Sequence, residues 1–593
     1  MGSSRLPGKV LQILAGKPII WHVVHRLRQS QELDDVVIAT TTDPTDDPLV
    51  EYAKKEGISC TRGSQDNVLE RYLLAAAEHD ADYIVRVTGD APLVDPDVID
   101  SMLKAMKLDD ADIYNGVSPT GNVIHEGFTP LSRRALEALS EFGGHDLAVR
   151  EHVTVKIKQY VPNLKIATIE FDPQDVFEGA RISVDTPADL KFMNAIYDHL
   201  GAKPGEANIK DVVSLLKSHP ELLDINTHVY QKKADEVSHD IIIRCDGGAE
   251  IGLGHIMRCL SLAQVLRDQF AIGVLFAMQD CTQADTSSAI KLIKHHFFQV
   301  DILPSDMDES QAIDDLLNTR RATGLIFDIR TDLKPEYLLD LRNRGYVTVC
   351  LDEPSERRQA CDLAFYPPVP QVKKMSWDRF SGKLFSGWEW ILLSPSFSAD
   401  QNTPKHDTVP PKHDTVPQIL ISMGGADPRH LVFDVLHSLS NTEEKFDAHV
   451  VLGAAFKDVE KVEQLISDLN LACTIHRDIS HMAELMGTMD LAISTFGVTA
   501  YELVASGVPG ILLCTTEENL KASNAFIDAH VAISIDVHTG IDKIQLTHQI
   551  QAMLDDTPEL NKMKQAMLSL DLRNGAINIA RTIKKALGDR TSA

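Results

Sequence analysis

IIIRCDGGAEIGLGHIMRCLSLAQVL, residues 241–266, is the stretch on which the fold turns. Three isoleucines run into Arg244, Cys245 and Asp246, a glycine-rich turn follows, and apolar residues then recur at helical spacing, so the segment reads as strand, loop and helix. The turn closes on Gly252, Gly254 and His255. Glycine lets backbone approach a ligand closely, and the exposed amides at a helix start favour an anion such as a diphosphate. A histidine placed there meets the positive end of the helix dipole, which favours the neutral imidazole and leaves it able to take a proton from water. Asp246, at the strand end, is placed to orient that ring or simply to cap the turn. On these residues alone, a packing turn and an active site both stand.

Downstream the same alternation continues. GLIFDIRTD gives a strand ending at Asp328, YVTVCLDEP one ending at Asp352, and CDLAFYP a third, all near-continuously apolar as in a parallel sheet. PQILISMGGADPRHLVFDVLHSL opens a second lobe as strand, turn at Gly424 and Gly425 with Asp427 and Pro428, and helix. DAHVVLGAAF and LAISTFGVTAYELVASGVPGILLC follow, the latter placing Gly497, Thr499 and Glu502 at a loop and helix start. Between the lobes lies PKHDTVPPKHDTVP, residues 404–417, a tandem copy of KHDTVP. Its four prolines exclude helix and central strand, so it is expected to be an extended connector, with His406 and His413 part of a duplicated loop rather than a metal site.

The chain before residue 241 is a second α/β region. GSSRLPGK combines small residues with Arg5 and Lys9, which suits a triphosphate cradle as well as a plain basic stretch. DDVVIATTTD reads as a buried strand, DDPLVEYAKKEG as a helix, and ADYIVRVTGDAPLVDPDVID as strand, loop and helix start, with Asp95 as the helix cap. A doubly wound sheet with its ligand at the strand ends is expected. NTHVYQKKADEVSHD, residues 226–240, is polar and without apolar period, a linker. The expected organisation is therefore 1–225, linker 226–240, a first lobe 241–400, a Pro-rich connector 401–417 and a second lobe 418–593.

Composition narrows the function classes. The 593 residues exceed one core at about 150 residues per domain. A formal net charge of −28 with scattered basic residues argues against a nucleic-acid surface, so any phosphate must be held by a local cluster. Eight cysteines without a C-x-x-C pair fit buried thiols in a reducing cytosol. No apolar run reaches membrane-spanning length, and a cytoplasmic location is expected.

Two resemblances sharpen these expectations. GSSRLPGKVL, ATTTDPTDDPLVEYAKKEGI, RGSQDNVLERY, VRVTGDAPLVDP, REHVT and RISVDTPADL, in this order, resemble the spore-coat type of cytidylyltransferase, kin to the enzymes that make CMP-activated nonulosonic acids. The resemblance implies that Ser3, Ser4, Arg5 and Lys9 hold the phosphates of CTP, that Arg62, Asp66 and Arg71 shape the nucleotide or sugar pocket with Arg86 a further candidate, and that Asp90 and Asp185 ligate Mg2+. Two carboxylates with phosphate oxygens and water suit that ion. The chain departs from this family in two places. Relatives carry an apolar strand ending in Gln-Ala-Arg before the Met-Gly-Ser-Ser stretch, where this sequence starts at Met1, so unpaired strand edges are expected in this region. HEGFTPLSRRALEAL replaces an acidic sugar-facing pattern.

The run RCDGGAEIGLGHIMRCLSLA resembles the UDP-sugar hydrolases of pseudaminic acid biosynthesis and their spore-coat relatives, which are similar to glycosyltransferases of the two-lobed GT-B type. The resemblance implies a catalytic role for His255, with Asn519 in the matching segment TTEENLKASNAF, and nucleotide contacts from Gly425, Gly497, Thr499 and Glu502 beside those of Gly252 and Gly254. Departures occur at Ile329 and Arg330, where relatives have His-Tyr, and at Leu520, where they have glutamine.

The combined expectation is an α/β protein: a nucleotidyltransferase-type Rossmann-like domain, then a GT-B pair of Rossmann-like domains. It would hydrolyse a UDP-diacetamido-trideoxyhexose and activate a nonulosonic acid with CTP, with docking to the phosphoenolpyruvate-condensing synthase that acts between the two steps. The alternative is a GT-B glycosyltransferase joined to a non-catalytic nucleotide-binding domain.

Overall fold

The computed structural model describes residues 3–117, 127–172, 174, 177, 180–230, 239–248, 253–279, 286–397, 416–453, 456–477, 479 and 482–591. Gly252, His406, His413 and most of the polar linker lie outside the described residues. Two compact units are distinguished, one consisting chiefly of residues 1–240 and the other chiefly of 241–593.

The first unit opens with a short hairpin, β1 (Ile13–Leu14) and β2 (Lys17–Pro18). β3 (Val37–Thr41) and β4 (Ser59–Gly63) form a parallel pair. β5 (Tyr83–Val87), β6 (Ile113–Val117), β7 (Phe128–Ser132) and β8 (Ile166–Glu170) form a mixed sheet in the order β5-β7-β6-β8. One doubly wound sheet is expected, and among the described residues two separate sheets stand beside the hairpin, with β3 and β5 each at an edge. The two nevertheless share one core, since Ile38 of β3 and Val85 and Val87 of β5 pack with Ile20, Val24, Ile99 and Met102 from flanking helices. Asp95 caps the helix Pro96–Leu108 by accepting from the amides of Asp97 and Val98, as expected.

The second unit contains two parallel sheets. The first comprises β9 (Asp240–Cys245), β10 (Gly273–Gln279), β11 (Gln299–Leu303), β12 (Gly324–Asp328), β13 (Val347–Leu351), β14 (Leu363–Tyr366) and β15 (Lys383–Ser386), ordered β11-β10-β9-β12-β13-β14-β15. The second comprises β16 (Gln418–Ser422), β17 (Asp447–Leu452), β18 (Cys473–Arg477), β19 (Leu491–Thr495), β20 (Gly510–Cys514) and β21 (Ala532–Asp536), ordered β18-β17-β16-β19-β20-β21. In both, the order reverses beside the first strand, at β9/β12 and at β16/β19, and such a switch point opens a crevice at the carboxyl ends of the strands. Every residue of β12, β13, β14 and β20 is buried, which is why their sequences are apolar without alternation. The helix Gly575–Thr591 closes the unit by returning to the first sheet, where Arg590 lies 2.9 Å from Asp362 and Asn578 donates to the Glu389 carbonyl. This is the GT-B class of fold: two Rossmann-like sheets joined by a C-terminal crossover.

Candidate active sites

In the second unit the chemistry gathers at the β9/β12 switch point. His255 is the second residue of the helix Gly254–Phe270, and a Cβ built on Gly254 meets nothing within 4 Å among the described residues. The His255 Nδ1 lies 2.6 Å from Asp328 Oδ1. Arg258, one helical turn on, grips the same carboxylate through Nε and, at 2.5 Å, through Nη2, and reaches Asp352 at 3.4 Å through Nη1. The Asp328 side chain is 3% exposed while that of His255 is 22% exposed, so the acid is sheltered and the ring reaches solvent.

A carboxylate only accepts, so the His255 Nδ1 carries the proton and donates it to Asp328. In the neutral ring Nε2 is then the unprotonated nitrogen, the atom available as a base. Burial pushes the Asp328 carboxyl up, but the bonds from Arg258 and His255 overcome this and hold it below the usual range. Burial also works against the Arg258 charge, and the bonds to Asp328 outweigh it and raise its pKa. Asp352 follows β13 with a left-handed backbone, φ 50°, an unusual conformation for a residue other than glycine.

The ring's partner is therefore Asp328, and not Asp246 as the sequence suggested. Strand alternation explains the correction. Cys245 and Asp328 are register partners, so they share the sheet face on which the His255 helix lies, and Cys259 of that helix donates to Asp328 at 3.7 Å. Arg244 and Asp246 point to the other face. There Arg244, with 0% side-chain exposure, lies 2.7 Å from both Asp246 and Glu309, and Asp246 also accepts from the Gln279 amide at 3.0 Å. Asp246 thus belongs to a buried ion network behind the site. Arg258 was not singled out in the sequence, although its i+3 spacing from His255 puts both on one helix face.

In the second lobe, Gly424 has φ 80° and sits after β16, and Asp427 accepts from the amides of Leu431 and Val432 to cap the helix Leu431–Leu439. A Cβ on Gly453 would strike the Gly425 backbone at 2.4 Å, so these two loops touch directly. Gly497 precedes the helix Val498–Ser506, which carries Thr499 and Glu502. Burial pushes the Glu502 carboxyl up to about 7, against a hydrogen bond from Thr499. Asn519, half-buried in the helix Glu517–Asp528, donates to the Thr515 hydroxyl at 3.3 Å, and Gln371 of the first lobe donates to the neighbouring Glu518 carbonyl at 3.1 Å. Trp388 meets Phe526 of that helix edge-on, 5.0 Å between rings. Arg330 is exposed.

The first unit brings its sequence candidates together more closely. Asp90 follows β5, and its carbonyl accepts from the Val184 amide at 2.8 Å, which ties two segments far apart in sequence. In the motif DTPAD, Thr186 caps the helix Pro187–Leu200 in a capping box with Asp189, and Asp189 also accepts from the Asp185 amide, so the Asp185 carboxylate is turned away from the helix. It meets Lys9 Nζ at 2.9 Å and Arg5 Nη2 at 3.3 Å, and Lys9 also contacts Asp90 directly. Gly8, at φ 63°, makes the turn that delivers Lys9. Burial alone would lower the Lys9 pKa, but the charges of Asp90 and Asp185 raise it; burial would raise Asp185, but Lys9 and Arg5 bring it to about 2. Ser3 accepts from the Leu6 amide, and the half-buried Ser4 side chain lies against Gly273. Arg62 is held by the Thr41 and Asp43 carbonyls and by Asp47, Arg71 by the Ser64 carbonyl, and Asp66 is exposed. Buried N–H groups on Arg5, Arg71 and Arg86 have no acceptor among the described residues.

Among the described residues no three His, Cys, Asp or Glu side chains cluster as a metal site, and no helix is long and apolar enough to cross a membrane. Among the described residues Cys245, Cys259, Cys350, Cys361 and Cys514 are buried free thiols, and Cys60 and Cys473 are half-buried ones.

Through residues 1–241 the chain belongs to the cytidylyltransferase family. That membership implies a nucleotide ligand for the first unit. Within the family this chain is 31% identical to the spore coat polysaccharide biosynthesis protein SpsF of Bacillus subtilis over 227 residues, 37% of this chain and 92% of SpsF. Another region is 24% identical over 322 residues to SpsG of the same organism, 53% of this chain and 89% of SpsG. A cytidylyltransferase structure from Leptospira borgpetersenii is 27% identical, covering 39% of this chain and 95% of its own, with a TM-score of 0.35.

Proposed function

We propose that the chain is a bifunctional nucleotide-sugar enzyme whose second unit hydrolyses a UDP-sugar and whose first unit activates a nonulosonic acid with CTP. The observation that carries the first half of this reading is the His255–Asp328 hydrogen bond of 2.6 Å at a helix start. Asp328 fixes the tautomer, Nε2 of His255 takes a proton from water, and the water oxygen attacks the anomeric carbon as its bond to UDP breaks. The UDP oxygens leave towards the amides at the helix start, and Gly425, Gly497, Thr499 and Glu502 are assigned to the nucleotide, with Glu502 on the ribose hydroxyls and Asn519 on the sugar.

In the first unit, Ser3, Ser4, Arg5 and Lys9 are assigned to the triphosphate, and Arg62, Arg71 and Arg86 to the pocket around it. Asp90 and Asp185 are an oxygen-donor pair suited to magnesium, and the Lys9 ammonium that touches both stands where a cation belongs. Bound there, magnesium would offset charge on the phosphates as a sugar hydroxyl displaces pyrophosphate. The buried, unaccepted N–H groups of Arg5, Arg71 and Arg86 support an anionic ligand in this pocket.

The test is product analysis by mass spectrometry in 18O-labelled water. UDP-diacetamido-trideoxyhexoses are supplied first, then CTP with candidate nonulosonic acids. Hydrolysis with carbon–oxygen cleavage puts the label on the free sugar and none on UDP, and the first unit yields a CMP-sugar with pyrophosphate. UDP release that appears only when an acceptor sugar is added would replace hydrolysis by glycosyl transfer.

A further inference from the structure

We propose that Lys9 occupies the cation position between Asp90 and Asp185 in the nucleotide-free protein, so that a divalent metal enters only after a nucleoside triphosphate has drawn the ammonium away. This rests on the reading of the first unit as a cytidylyltransferase. Lys9 Nζ touches Asp90 and lies 2.9 Å from Asp185, and Arg5 adds a second cation 3.3 Å from the same Asp185 oxygen. Two carboxylates facing two cations are neutralised, and little attraction is left for a dication. A metal on those oxygens would also stand within about 4 Å of Nζ, where like charges repel strongly.

The ammonium has somewhere else to go. It is carried on a flexible four-carbon stem, 22% exposed, that leaves a turn set by Gly8. Arg5, on the same turn, has a buried Nη1 without an acceptor among the described residues, so the loop offers both cations to a triphosphate at once. When phosphate oxygens take over Lys9, the two carboxylates, ionised throughout, lose their counter-ion and gain phosphate oxygens as fellow ligands. Metal and nucleotide then bind with positive coupling, and the coupling is reciprocal.

The experiment titrates the full-length protein with MnCl2 alone and then with CTP present, following free Mn2+ by electron paramagnetic resonance. The wild type is expected to bind the metal weakly by itself. Lys9→Met is expected to tighten metal binding without nucleotide by about tenfold or more, and Lys9→Met with Asp90→Asn to lose that gain. If Lys9→Met does not fold, Lys9→Gln carries the same comparison. Metal affinity unchanged by both neutral substitutions overturns the proposal. Tight binding to the wild type without nucleotide, removed by Asp90→Asn, also overturns it but leaves magnesium at the two acids; no binding in any variant even with CTP overturns the metal assignment itself.

Discussion

Asp328→Asn removes the charge at the centre of the proposed hydrolytic site while keeping the shape of the side chain, and its two effects are separable. Arg258 loses the charge to which it makes two bonds, and Asp352, at 3.4 Å, is the carboxylate left to it beside the 3.2 Å contact with His255 Nδ1. Deleting one partner of a buried ion pair costs about 3–5 kcal/mol; since the Arg258 side chain is 24% exposed, water recovers part of that, and a loss of about 2–3 kcal/mol is expected. The catalytic effect is larger. An amide no longer obliges the His255 Nδ1 to carry the proton, so Nε2 ceases to be reliably the base. General-base catalysis contributes about 10²–10⁴-fold, and a loss of about 10³-fold in kcat, roughly 4 kcal/mol in the barrier, is expected. KM should change little, because Asp328 itself is assigned no contact with the nucleotide. Steady-state release of UDP gives both constants, and urea unfolding gives the stability. A folded variant with kcat within about threefold of wild type would refute the role given to Asp328.

Other perturbations separate the remaining assignments. Asp246→Asn should weaken the buried network around Arg244 and cost about 3 kcal/mol in urea unfolding, while lowering kcat far less than Asp328→Asn does. Asp90→Asn should abolish pyrophosphate release from CTP and leave UDP release intact, as measured in parallel assays on one preparation. Glu502, with its carboxyl raised from 4.5 to about 7, stays protonated in the folded chain over a range where the unfolded chain has lost its proton. Its contribution to stability is therefore complete below pH 4.5 and is lost as pH rises through about 7; Glu502→Gln should remove that slope from thermal melts recorded across the window.

Much of this was legible in the chain, and the parts that were not share a cause. Buried strands such as GLIFD announced themselves because parallel strands covered on both faces need no polar alternation. His255 was visible because a glycine turn before a helix is a local feature. Its partner was not, since Asp246 is near in sequence and Asp328 is near in space. Only the strand order, which sets β12 beside β9, and the alternation of side chains along β9 decide between them. The same holds for Lys9. The motif pointed to phosphate, while its contacts with Asp90 and Asp185 depend on the Asp90 carbonyl bonding the Val184 amide, a tertiary fact with no local signature. The split of the first unit into two sheets likewise depends on pairing partners that no single segment specifies.

The most direct measurement is release of UDP from a UDP-diacetamido-trideoxyhexose by His255→Ala, with no acceptor sugar present and with pyrophosphate release from CTP followed on the same sample. Loss of UDP release by about 10²-fold or more, with the CTP reaction unchanged, is the expected result. UDP release persisting at the wild-type rate in the substituted protein would contradict the assignment of His255 as the base.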